Sequence, residues 1–112
     1  MELSFAIQGN TGIVSISGYL DVQSQGKFEE YFSQQIKQAP KTIAINLQQL
    51  QYIDSSGIGS LVRCMTEAKN QQKELVLFGA NGEIMEIFNV AKLAKFFNIL
   101  SAKEFDTKYG LP

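Results

Sequence analysis

The chain has 112 residues, 45% of them hydrophobic, with 10 Lys and Arg against 11 Asp and Glu for a formal charge of -1; this provides for one domain around one core and leaves no basic footprint for a nucleic acid or an anionic bilayer. It holds no histidine and a single cysteine, Cys64, which excludes a Ser-His-Asp triad, an imidazole general base, a His-containing zinc site and an internal disulfide. Neither a secretory leader pattern nor an apolar run of membrane-spanning length occurs, so the expectations are a cytoplasmic location, no direct membrane insertion, no metal and no cofactor.

Residues 2 to 8 alternate, with Leu3, Phe5 and Ile7 against Glu2, Ser4 and Gln8, and Gly9-Asn10-Thr11-Gly12 separates them from a second strand in which Val14 and Ile16 share a face. The pattern predicts a hairpin. Phe28, Tyr31, Phe32 and Ile36 then fall at helical spacing before Pro40, which predicts a helix over about 22 to 38. Ile43 to Leu47 is a short, nearly continuous apolar run and reads as a central strand. From Ser55, the residues Ile58, Leu61, Val62 and Met65 repeat at helical spacing, while Ser56, Ser60, Arg63 and Glu67 fall on the opposite, outer side. Leu75 to Phe78 predicts another strand, Ile84, Ile87 and Phe88 a third helix, Phe97 to Leu100 a last strand, and 101 to 109 a closing helix. The order β-β-α-β-α-β-α-β-α is that of an α/β domain, a mixed sheet with helices packed on it and its later strands parallel.

The segment with the most chemistry is Asp54-Ser55-Ser56-Gly57-Ile58-Gly59, which follows the central strand and opens a helix. Asp, Ser and Gly are ordinary capping residues, and capping alone accounts for an isolated Asp-Ser-Ser-Gly. Two glycines in a first turn are less ordinary, because each costs about 0.8 to 1 kcal/mol relative to alanine. They suggest the close approach of another backbone or a nucleotide. Ser55 falls where free backbone N–H groups and the positive end of the helix dipole favour a phosphoryl group. Asp21, after Gly18-Tyr19-Leu20, ends the second strand and either caps the first helix or joins this site. Cys64 reads as a buried small hydrophobe, and Lys92, Lys95, Lys103 and Lys108 as a solvated face.

Gly18-Tyr19-Leu20-Asp21, Ile45-Asn46-Leu47, Tyr52-Ile53-Asp54-Ser55-Ser56-Gly57-Ile58-Gly59 and the Met85 to Leu100 stretch together resemble a stand-alone STAS domain of the bacterial anti-sigma factor antagonist type. The resemblance covers nearly the whole chain and implies one STAS domain over 1–112. It implies a non-enzymatic regulator that, unphosphorylated, binds an anti-sigma factor serine kinase and frees the sigma factor. Phosphorylation at Ser55 by that kinase would switch binding off, and a serine phosphatase would reset it. Asp21 and Asp54 match the acids bordering the family's phosphorylated residue; with the helical pattern, Ser56, Gly57, Gly59, Ser60 and Arg63 would form the docking surface. The family often carries proline where Gly82 stands and a small residue or glycine where Lys92 stands. A second reading is a STAS subunit of a larger assembly, such as a lipid transporter or signalling complex, that is not phosphorylated. A hydrolase using Ser55 is third, and neither a histidine nor a Gly-x-Ser-x-Gly elbow supports it.

Overall fold

In a computed structural model, which describes residues 1–110, the chain forms a five-stranded sheet in the order β1-β2-β3-β4-β5. The expected domain of 1–112 ends in two residues, 111 and 112, that lie outside the described residues. β1 (Glu2–Gln8) pairs antiparallel with β2 (Thr11–Leu20) across a turn of only Gly9 and Asn10, since Thr11 already pairs with Gln8. β3 (Thr42–Ile53), β4 (Glu74–Phe78) and β5 (Ile99–Leu100) add in parallel, joined by helical crossovers as the sequence predicts.

Strand parity divides the core. Ile43, Ile45, Leu47 and Leu77 face α1 (Gln25–Gln35), α2 (Ser55–Asn70) and α3 (Gly82–Val90), where they pack with Phe28, Phe32, Leu61, Ile84 and Phe88. Ala44, Val76 and Phe78 face the other side, covered by α4 (Ala102–Tyr109) through Phe105. Phe105 stacks on Phe78 with ring centroids 3.8 Å apart, and Tyr109 ties the helix end down by donating to Glu74 Oε1 at 2.7 Å. Ser101 and Glu104 form a reciprocal capping box that starts α4.

Three boundaries differ from the sequence expectation. α1 begins at Gln25, because residues 21 to 24 form a separate turn, and its end tightens into a 3-10 turn at Ile36–Gln38. β3 runs on to Ile53, so no connection separates strand from cluster except Asp54 itself. β5 is only Ile99–Leu100; Phe97 lies before it, buried edge-to-face against Phe88. Lys92 has φ 59°, in the left-handed region, and directs the chain out of α3 with the Leu93 N–H donating to the Phe88 carbonyl. No helix among the described residues is long and apolar enough to cross a membrane.

Candidate functional site

The site is built on the ends of two neighbouring parallel strands. In β2 and β3, Tyr19 pairs with Tyr52 and Leu20 with Ile53, so that Asp21 and Asp54 are the next residues out on each strand and Val22 and Ser55 the next after those. Leu20 and Ile53 point into the core, while the tyrosines turn to the other side. Two register shifts precede this stretch, and Gly18 takes φ +88° beside the second. The Asp54 N–H donates to the Leu20 carbonyl at 3.3 Å, which closes the two strand ends together.

Each acid then organises the backbone that follows it. Asp21 Oδ1 accepts from the N–H groups of Gln23 and Ser24 at 3.0 and 3.1 Å, and the Ser24 hydroxyl donates to the Tyr19 carbonyl at 2.7 Å. Asp21 therefore holds the turn ahead of α1 and does not cap the helix. Asp54 is the N-cap of α2, with Oδ1 accepting from Gly57 N–H at 3.0 Å. Ser55 is the first residue of the helix and is exposed; Ser56 is half-buried. Their N–H groups have no carbonyl one turn back within α2.

Two residues expected on the docking surface lie inside. Gly57 is buried against the end of β2, where a Cβ would collide with the Leu20 carbonyl oxygen and stand 2.7 Å from Ile53 Cγ1. The close backbone approach that its glycine suggested is to this chain's own strand. Ser60 is fully buried where α2 meets α1, its hydroxyl donating to Glu29 Oε2 at 2.8 Å. Arg63 is exposed but engaged: its Nε donates to Glu29 Oε1 at 2.6 Å and its Nη2 to Glu29 Oε2 at 3.0 Å. The Arg63 hydrogen bonds hold the Glu29 carboxyl below its usual pKa, and the Ser60 hydroxyl adds to the effect, with burial opposing. Ser33 donates to Glu67 across the same helix pair, so the α1–α2 contact has a polar seam that a helical wheel assigns to solvent. Cys64 is buried as expected, and burial pushes its thiol pKa up.

Sequence reasoning missed the exposed apolar residues at the ends of β2 and β3, the strand ends that lead to Asp21 and to Asp54-Ser55. Tyr19 is 54% exposed, Tyr52 45% and Val22 63%, and the two rings touch with centroids 5.7 Å apart. The clue was the repetition of Tyr-Leu-Asp at 19–21 and Tyr-Ile-Asp at 52–54. Its meaning depends on the strand register, which puts the two tripeptides side by side.

The sequence matches the STAS domain family over residues 2–106. The chain belongs to that family. This STAS domain is 26% identical over 93 residues to an anti-sigma-B factor antagonist of Staphylococcus aureus, covering 83% of this chain and 86% of the relative. Its fold is that of a putative anti-sigma factor antagonist from Thermotoga maritima, at TM-score 0.83 and 16% identity over 96% of this chain and 93% of the other. It also matches the anti-sigma factor antagonist SpoIIAA in its unphosphorylated form, at TM-score 0.69 and 21% identity over 95% and 94%. The phosphorylated form of Bacillus SpoIIAA gives TM-score 0.69 and 22% identity over 95% and 96%. At these identities the structural likeness establishes the fold of the STAS domain.

Proposed function

We propose that this STAS domain is a cytoplasmic, non-enzymatic anti-sigma factor antagonist whose docking surface is centred on Ser55 and is switched by phosphorylation there. The observation that carries the reading is an exposed hydroxyl on the first residue of α2, two residues beyond the end of β3, where the paired strand ends also carry the exposed Tyr19 and Tyr52. The relative from Staphylococcus aureus, by its name, supports the direction of the regulation.

In this reading the unmodified surface binds an anti-sigma factor serine kinase, which is thereby taken from its sigma factor. The tyrosine pair and Val22 enter the contact as apolar anchors, and Ser55 and Ser56 allow close approach. The bound kinase then transfers the terminal phosphoryl of ATP to Ser55 Oγ. The O–P bond forms as the ADP leaves, and a base of the kinase takes the hydroxyl proton. ATP, its magnesium and the base belong to the kinase; this chain supplies the acceptor and the surface. A serine phosphatase restores the hydroxyl.

The modification adds about -1.5 to -2 charges at neutral pH. The dipole of α2 tolerates that charge in the free domain. Across an apolar contact it must be desolvated, with Asp54 the preceding residue, Asp21 at the neighbouring strand end and Arg63 already engaged by Glu29. A cost of about 2.8 kcal/mol is a hundredfold in affinity. The test is titration calorimetry of an anti-sigma factor kinase from the source genome against the wild type and Ser55→Asp. The reading requires the wild type to bind and Ser55→Asp to bind at least about a hundredfold more weakly. Equal affinity for both removes the switch.

A further inference from the structure

We propose that the outer face of α3 is a self-association surface, on which two copies of the chain pair antiparallel about a two-fold axis. Glu83, Glu86, Ile87, Val90 and Ala91 line an open groove along α3, beside the face on which Ile84 and Phe88 are buried, with Ile87 partly buried against the core and Val90 fully outward. Val90 is 77% exposed, the highest value among the large hydrophobic residues described. The stripe shares no residue with the Ser55 surface.

Charge along α3 and the turn that follows it selects the occupant. Glu83 and Glu86 lie in the N-terminal half of α3, whereas Lys92 and Lys95, which line a second groove with Asn89 and Ala94, follow its C-terminus. None of these four residues makes an ion pair within the described residues. An antiparallel copy brings the Glu83 end of one helix alongside the Lys92 end of the other, twice by symmetry, with Ile87 and Val90 between them. The surface is therefore complementary to itself in charge as well as in apolar character. A parallel copy would put like charges together.

The test is sedimentation velocity of the wild type over a concentration series at low and high salt. A small interface of this kind predicts reversible dimers in the ~100 µM range, weakened by salt. Two variants isolate the geometry. Glu83→Lys with Glu86→Lys makes both ends of the stripe positive, and Lys92→Glu with Lys95→Glu makes both negative. Each alone should associate at least about tenfold more weakly than the wild type. An equimolar mixture of the two should recover the dimer, which a misfolded variant could not do. A wild type that stays monomeric up to about 1 mM, variants that associate like the wild type, or a mixture that stays monomeric would each overturn the proposal.

Discussion

Gly57 rests against the carbonyl oxygen of Leu20 with no room for a Cβ between them. The first turn of α2 is thereby pressed onto the end of β2, and the position of Ser55 depends on a strand from which it is separated by helix α1 and strand β3. Gly57→Ala must displace backbone, or move the whole helix start, and should destabilise the domain by about 1–3 kcal/mol. Gly59 differs: a Cβ there meets only the end of the flexible Arg63 side chain, at 3.4 Å from Nη1. Gly59→Ala should be neutral or stabilising by up to about 1 kcal/mol, as alanine is in a helix. Urea denaturation of the two variants separates the roles of these glycines.

Asp54 and Ser55 are neighbours with different duties. Asp54→Ala removes the acceptor for Gly57 N–H and should cost about 1 kcal/mol, the usual value for a lost N-cap. Ser55→Ala, at an exposed hydroxyl, should change stability by less than about 0.5 kcal/mol. Thermal melts of both check this.

Glu29 links stability to pH. Its carboxyl is held below the ordinary value, first by Arg63 and then by Ser60, so the folded state favours the ionised form. That contribution is fully present above the unfolded carboxylate pKa of about 4.3 and is lost as pH falls through the lower folded value. The stability advantage of the wild type over Glu29→Gln should thus be constant from about pH 7 to 5.5 and shrink below about pH 4. Denaturation midpoints measured across that range would contradict the account if the gap widened in acid.

Tyr19 and Tyr52 keep much of their ring area in solvent, so truncating them removes little core. As interface anchors, Tyr19→Ala and Tyr52→Ala should each weaken kinase binding about tenfold, with near wild-type melting temperatures. Surface plasmon resonance on the unphosphorylated domain gives the comparison.

Local patterns carried most of the fold. The alternation in β1, the apolar run at Ile43 to Leu47, and the helical spacing in α2 and α3 each correspond to an observed element. The far half of β3 was hidden because Gln48, Gln49 and Gln51 face solvent where β4 has already ended at Phe78, opposite Asn46. The start of α1 was hidden because Asp21 binds the N–H groups of a turn instead of a helix. At the site, Asp54 and Ser55 were legible because cap chemistry is local. Ser60 was misplaced because its burial depends on Glu29, a residue of another helix whose carboxylate satisfies a hydroxyl in the α1–α2 seam. The Tyr19–Tyr52 pair needed the register of two strands, which no local window contains.

The central claim is that Ser55 is the switch residue, and site-resolved mass spectrometry after incubation with ATP and an anti-sigma factor kinase addresses it most directly. The account predicts one added phosphate, on Ser55, in the wild type and none in Ser55→Ala, with the modified protein released from the kinase. Modification at another residue, or a phosphorylated Ser55 that leaves kinase binding unchanged, would contradict it.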